Sequence, residues 1–327
     1  MKYTYLGRTG LKVSRLCLGT MNFGNYNDEK ESFKIMDAAL DAGLNFFDTA
    51  NNYGKSTNRE GLTETLIGRW FARGGGRRES VVLATKVHEE MHDKTDGPNS
   101  AGGLSLYKIR RHLNASMKRL QTDHLEIYYM HHIDRKVTWD EIWDAFQPLV
   151  QQGRIDYVAS SNFAGWNIAQ AQAEAKARHI LGLVCEQHRY SLLCRLPELE
   201  LLPSCNAHGL GVVAWSPLQQ GLLSRNALTH TNVARTEEQK TEFIKVRAQL
   251  ESFHKFGQEI GQPEDVVALA WLLANPAITA PVIGPRTLEQ FEDSLKALDV
   301  VLDAGVLKKL DEIFPGPGGM APEGYAW

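Results

Sequence analysis

No apolar run in this sequence approaches the roughly 18 residues that a membrane-spanning helix needs. The opening residues, Met-Lys-Tyr-Thr-Tyr-Leu-Gly-Arg, lack the apolar stretch of a secretory signal. A soluble, cytoplasmic chain with no membrane partner is therefore expected. Charge of one sign is also lacking: 36 Lys and Arg face 39 Asp and Glu, for a formal net charge of -3. That balance excludes a nucleic-acid footprint and leaves small molecules as the expected partners. Cysteine is scarce, and Cys17, Cys185, Cys194 and Cys205 show no C-x-x-C spacing, so buried, reduced thiols are expected in place of disulfides or metal ligands.

A further absence narrows the fold. After the first apolar run the chain reads Leu18-Gly19-Thr20-Met21-Asn22-Phe23-Gly24, which is not the G-x-G-x-x-G turn of a doubly wound dinucleotide-binding sheet.

What the chain does contain is alternation. Short apolar runs at 16–18, 45–47, 81–85, 125–130, 157–159, 183–186, 212–214 and 280–282 predict strands. Helix-like segments lie between them at 29–42, 58–72, 107–119, 140–152, 167–179, 197–208, 263–274 and 288–298, several closing at a glycine such as Gly43 or Gly209. Eight such units with nearly continuous apolar strands predict an α/β fold, a single (β/α)8 barrel over residues 1–327. Residues 90–105 and 219–261, the latter with an extra helix near 237–256, and the Pro/Gly-rich tail 314–327 exceed what the repeats require. Connections that long are commonly functional, so all three are candidate substrate loops, the first two over the C-terminal mouth because they follow the third and seventh strands.

The residues at the ends of the expected strands carry chemistry. Asp48 and Tyr53 follow the second strand, Lys86 the third, His131 the fourth, Ser161 and Asn162 the fifth and Gln187 the sixth, so a barrel would gather them around one pocket. An ammonium beside a phenol favours the phenolate. Lys86, oriented by Asp48, is thus expected to lower the pKa of Tyr53 and make it a proton donor near neutral pH. A neutral His131 would polarise a substrate oxygen. A proton donor beside a polarising donor suits reduction of a carbonyl.

His88-Glu89-Glu90-Met91-His92 also fits H-E-x-x-H, a zinc-hydrolase signature that needs a helix. It runs from a strand into Lys-Thr-Asp-Gly-Pro-Asn-Ser, a poor helix, so a polar loop at the pocket rim is expected and no metal. The neighbouring His132 should point away from His131 if the segment is extended. Met21, Phe23, Tyr26, Trp139, Tyr325 and Trp327 are candidates for an apolar wall beside the substrate.

With these stretches in hand the sequence resembles the aldo-keto reductase superfamily along essentially its whole length. The matching stretches are 18–21 (LGTM), 46–54 (FFDTANNYG), 84–86 (ATK), 126–131 (EIYYMH), 159–163 (ASSNF), 186–193 (EQHRYSLL), 214–218 (AWSPL) and 282–287 (VIGPRT). The resemblance implies a barrel that uses NADPH/NADP+, acts on a small carbonyl substrate, and places its catalytic tetrad on Asp48, Tyr53, Lys86 and His131. It also implies nicotinamide contacts from Ser161, Asn162 and Gln187 and a stacking ring at Trp215, as in the branch related to potassium-channel β subunits. Ser216, Pro217, Leu218 and Gly221 would lie along the pyrophosphate. Arg286 would meet the 2′-phosphate, and Gln290, Asp293 and Ser294 would lie on the adenine side. Gly19, Thr20, Met21, Asp48, Ile283 and Gly284 complete the implied cofactor set. The same branch implies an alternative function, a cofactor-sensing regulatory protein with slow chemistry.

Overall fold

The computed structural model of the chain describes residues 1–54, 59–92, 94–229 and 236–326. It opens with an antiparallel hairpin of β1 (Tyr3–Tyr5) and β2 (Lys12–Ser14). Eight parallel strands then close into a barrel: β3 (Cys17–Gly19), β4 (Phe46–Asp48), β5 (Val82–Val87), β6 (Leu125–Met130), β7 (Ile155–Ser161), β8 (Leu183–Arg189), β9 (Gly211–Trp215) and β10 (Ile278–Ile283). Each pairs with the next in sequence, and β10 closes the ring by pairing with both β9 and β3.

The two-residue alternation of a strand sorts side chains between two cores. Cys17, Phe46, Val82, Ala84, Tyr129, Ala159, Cys185 and Val213 fill the barrel interior, where Leu6 and Val13 join them from the hairpin end. Leu18, Phe47, Leu83, Tyr128 and Val158 face outward into the layer between strands and helices. The same alternation fixes which later residues point into the mouth. Asp48 follows Phe46 inward, Lys86 follows Ala84, Ser161 follows Ala159, and Gln187 follows Cys185.

The outer layer comprises α1 (Glu29–Asp41), α2 (Leu62–Phe71), α3 (Leu106–Leu120), α4 (Trp139–Gln151), α5 (Gly165–Ala177), α6 (Leu201–His208), α7 (Glu237–Glu259), α8 (Glu264–Ala274), α9 (Leu288–Lys296) and α10 (Ala304–Ile313). Polar caps define several starts, with Asp28, Ser105, Thr138, Thr287 and Asp303 each accepting from a backbone N–H in the first turn. Gly43 and Gly209 end α1 and α6 with left-handed backbone, the conformation that glycine adopts most readily.

Several boundaries differ from expectation for local reasons. The helix expected from Asn58 begins at Leu62, and Asn58 itself lies outside the described residues. The helix expected over 197–208 is broken into a 3-10 turn at Leu196–Glu198 and α6, because Glu200 between them has non-helical backbone. Neither the hairpin nor α10 was expected: three-residue strands carry too little alternation to register, and α10 lies beyond the last repeat. Among the described residues no helix is long and apolar enough to cross a membrane.

Candidate active site

Asp48 is the last residue of β4, Lys86 lies inside β5, and both are buried. They sit in the strands, one or more residues earlier than expected, so sheet pairing fixes their backbone. Lys86 Nζ donates to Asp48 Oδ2 at 2.6 Å, to the Thr49 carbonyl at 2.9 Å and to the Tyr53 hydroxyl oxygen at 3.2 Å. An ammonium has three N–H bonds, and all three are used here. The Tyr53 oxygen accepts from Lys86, so its own O–H is left to point elsewhere. The second Asp48 oxygen, Oδ1, accepts from Gln187 Nε2 at 2.8 Å.

Charge balance follows from these contacts. Burial opposes the Lys86 ammonium, but Asp48 and Tyr53 outweigh it and hold the pKa above its ordinary value. Burial pushes the Tyr53 phenol up, while Lys86 pulls it down and Asp48 adds to the rise. The net direction is upward, which corrects the expectation that the ammonium would prevail. Tyr53 therefore keeps its proton through the neutral range and releases it only to a stronger base.

His131 immediately follows β6. Its ring meets Tyr53 edge-on, with centroids 6.1 Å apart, and its backbone N–H donates to the Val87 carbonyl at 2.9 Å. Burial drives the imidazole pKa well below the ordinary histidine value, and the Lys86 ammonium pushes the same way. The ring is neutral, and its Nδ1 is buried without a protein hydrogen-bond partner. His132 does not point away from it. The two rings stack 5.1 Å apart at 15°, because the chain bends after β6 instead of staying extended.

The polar residues of the next strands brace one another. Ser161 Oγ donates to the Gln187 carbonyl at 2.8 Å. Asn162 has left-handed backbone, and its Nδ2 reaches the His131 carbonyl at 3.1 Å and Ser161 Oγ at 3.0 Å, while its Oδ1 accepts from Trp215 Nε1 at 3.0 Å. The indole plane is therefore fixed at the end of β9. Beyond it, Ser216, Gln219, Gln220 and Gly221 all have positive φ, and Ser216 Oγ is buried with no protein partner. Within the turn the Gln219 and Gly221 N–H groups donate to the Ser216 and Leu218 carbonyls, both at 2.9 Å, so its backbone is braced from within. Pro217 is buried and Leu218 half-buried in the same turn.

Thr20 is buried and its Oγ1 donates to the Asp48 carbonyl at 2.9 Å, whereas Met21 is exposed. Gly19 lies so close to β10 that a Cβ there would come within 2.5 Å of Val282, which makes it a packing position. Ile283 is buried, and Asn22 Nδ2 donates to the Gly284 carbonyl at 2.7 Å, joining the loops after β3 and β10. The Arg286 guanidinium carbon lies 4.4 Å from the centroid of the Tyr26 ring. Gln290 Oε1 accepts from the Arg286 backbone N–H at 2.8 Å, and Ser294 Oγ donates to the Gln290 carbonyl at 2.8 Å. Asp293 pairs with Arg225 at 3.0 Å and with Lys296 at 2.5 Å.

Some expected wall residues are elsewhere. Phe23 and Trp139 are buried in the outer core, Trp139 stacking on Trp143, whereas Met21 and Tyr26 are exposed. Trp327 and the Tyr325 side chain lie outside what the structure describes. The H-E-x-x-H stretch is not helical: His88 and Glu89 leave β5 directly, and among the described residues no cluster has metal-site geometry. Other neighbours were not anticipated. Gln219 is buried, donates to Glu242 on α7 at 2.6 Å and so ties the extra helix to the loop after β9, while Arg189 lies 5.9 Å from the Trp215 ring centroid. A glutamine in a polar loop gives no local sign of such a role. Arg189, by contrast, is offset by two residues from Gln187, and the alternation places it on the same face.

A parallel (β/α)8 barrel with a buried lysine–carboxylate–phenol cluster at its C-terminal mouth defines the class of protein, and comparison with known sequences gives the family. Residues 15–314 match the Aldo/keto reductase family. An uncharacterized oxidoreductase, YrpG, of Bacillus subtilis is 61% identical, with all of both chains covered. A putative voltage-gated potassium channel subunit beta of Schizosaccharomyces pombe is 34% identical over 95% of this chain and 92% of its own. A putative aryl-alcohol dehydrogenase of the same yeast is 29% identical over 95% of each. The chain belongs to the aldo/keto reductase family and is an oxidoreductase of that family.

Proposed function

We propose that the protein is an NADPH-dependent reductase of aldehydes or ketones. The observation that carries this reading is the saturation of Lys86. With all three N–H bonds engaged and one of them on the Tyr53 oxygen, the phenolic proton is the one mobile donor of the cluster. It lies beside a neutral imidazole.

NADPH, when bound, supplies the hydride. Ser161, Asn162 and Gln187 are the groups to hold its carboxamide, and Trp215, fixed by Asn162, offers a flat face for the nicotinamide ring. The left-handed turn from Ser216 to Gly221, with its unpartnered Ser216 hydroxyl, suits the pyrophosphate. Arg286 offers a guanidinium fork for the 2′-phosphate. Gln290, Asp293 and Ser294 line the adenine side, with Asp293 acting through its pair to Arg225.

The carbonyl oxygen sits between Tyr53 and His131. As it gains negative charge it becomes a far stronger base than a phenolate, so a phenol with a raised pKa still surrenders its proton. The Lys86 ammonium, 3.2 Å away, stabilises the phenolate left behind, and Asp48 holds that ammonium in place. Acid catalysis of this kind is worth about 10²–10⁴ in rate.

A screen of aldehydes and ketones against the purified protein, read as NADPH consumption, tests the proposal. Turnover of at least one class supports it. The 34% identity to a channel β subunit favours one alternative, a cofactor sensor with slow chemistry. Stopped-flow mixing of the NADPH-loaded protein with the same panel separates the two, because a sensor would bind cofactor tightly and oxidise it negligibly.

A further inference from the structure

A second chain of buried polar groups reaches the turn that carries Tyr53 from the opposite side to Lys86. Asn51 is fully buried, two residues before Tyr53, and its Nδ2 lies 3.1 Å from His112 Nδ1 on α3. On the far edge of the same ring, His112 Nε2 lies 2.9 Å from Asp96 Oδ2. Asp96 is itself buried, in the segment after β5, and its other oxygen is engaged by Arg111 Nε. A buried lysine one helical turn before His112, Lys108, donates to the carbonyls of Ser100 and Ala101, so α3 grips that segment at a second point.

The donor and acceptor roles follow from the partners. A carboxylate only accepts, so the His112 proton facing Asp96 is on Nε2. Burial holds the imidazole below its ordinary pKa, and Lys108 and Arg119 push the same way against Asp96. The ring is therefore neutral and Nδ1 carries a lone pair, which makes the facing Asn51 atom a donor. Asn51 Oδ1 has no protein partner, so the amide is oriented by this one bond.

The ends of the turn are held by the Thr49 N–H to Ala84 carbonyl bond at 2.9 Å, the Lys86 Nζ to Thr49 carbonyl bond at 2.9 Å and the Arg59 N–H to Gly54 carbonyl bond at 3.1 Å. The Asn51 N–H to Lys86 carbonyl and Tyr53 N–H to Ala50 carbonyl bonds are both 3.3 Å, long for backbone pairs. The position of the phenol relative to Lys86 and His131 depends on where this turn sits.

We propose that Asp96, His112 and Asn51 form a positioning relay that sets the 49–54 turn, and with it the reach of the Tyr53 hydroxyl, and so couples the segment after β5 to proton donation. The relay rests on the reading of Tyr53 as the donor. None of its members touches substrate; each acts through the next.

The test uses the full chain as wild type, Asn51→Ala, His112→Gln, Asp96→Leu and Asp96→Asn, with an aldehyde that the wild type reduces. The first three variants are expected to lose at least about tenfold in kcat, since small misplacements of a reacting group are costly. Their aldehyde KM and their NADPH affinity by fluorescence should change less than about twofold, and their solvent isotope effect on kcat should rise. Asp96→Asn keeps an acceptor for His112 Nε2–H and should recover most of the activity. Variants with lowered Tm but wild-type kcat and isotope effect at a permissive temperature would show a purely structural role and overturn the relay.

A readout independent of turnover is the 15N spectrum of His112. An Nε2-protonated neutral ring at pH 7, lost in Asp96→Leu, is expected, and an Nδ1-protonated ring would contradict the relay. If the wild type reduces no carbonyl, the reductase reading fails, while this spectrum and hydrogen exchange at 49–54 in Asn51→Ala still decide the relay. Unchanged exchange there would overturn it.

Discussion

The floor of the barrel mouth and its rim are both built from ionisable residues but obey different rules. On the floor, Lys86 and Asp48 are buried, borne on strands, and bonded at nearly every available position. At the rim, His88 and His132 both lean on Glu89 Oε1, at 3.2 and 3.5 Å, and His92 lies between Glu60 at 3.6 Å and Glu90 at 3.3 Å. Those rim side chains are carried by loops and are partly open to solvent, where ion pairs are worth about 0–1 kcal/mol. A charge on the floor is worth several times more, because its partner would be left buried and uncompensated.

The largest effect that breaks this contrast is expected from Lys86→Met. Removing the ammonium strands Asp48 in the interior at a cost of about 3–5 kcal/mol in stability, and in the proposed mechanism it also removes the group that would stabilise the Tyr53 phenolate. Urea unfolding and a turnover assay should show both losses. Retention of wild-type stability would mean that the pair is not the anchor of the floor.

Acidification probes the floor in a graded way. His131 and His112 both have folded-state pKa values below the ordinary histidine value of about 6.5, through burial first. The unfolded chain therefore binds more protons than the folded one below that pH. Their contribution to stability is fully present above about pH 6.5 and declines as pH falls toward the depressed folded values. The urea midpoint should drop between about pH 7 and pH 5, and His131→Asn should flatten that slope.

Intermediate effects belong to the cofactor side. Arg286→Ala should reduce the preference for NADPH over NADH by about tenfold, the worth of one charge-assisted contact. Comparing kcat/KM for the two cofactors checks this, and an unchanged ratio would remove Arg286 from the 2′-phosphate. The smallest effect is expected at the rim, where Glu89→Gln should leave kcat within about twofold, in keeping with a partly solvated pair.

Much of the barrel was legible in the sequence because buried parallel strands announce themselves as apolar runs, and alternation along them carried Asp48, Lys86, Ser161 and Gln187 inward. The hairpin at Tyr3–Ser14 and the helix Ala304–Ile313 were not legible, since neither shows the repeat that identified the rest. Within the site, positions at the strand ends pointed to Tyr53, Lys86 and His131 but not to the strength of burial, which reverses the direction of the phenol's pKa. A local reading of His132 likewise assumed extended backbone, and the bend after β6 instead stacks it on His131. His112 had no legible role at all. Its partners Asp96 and Asn51 lie 16 and 61 residues away in sequence, and only folding brings them together.

If Tyr53 is the donor, the proton left free by the saturation of Lys86 is the one that reaches the substrate oxygen. Tyr53→Phe removes that hydroxyl while keeping the ring, so the direct measurement is single-turnover oxidation of bound NADPH by a wild-type substrate in this variant, alongside its NADPH affinity. Cofactor binding is expected to stay within about twofold of wild type while the chemical step slows by about 10²–10⁴. A Tyr53→Phe variant that reduces the aldehyde at the wild-type rate would contradict the assignment.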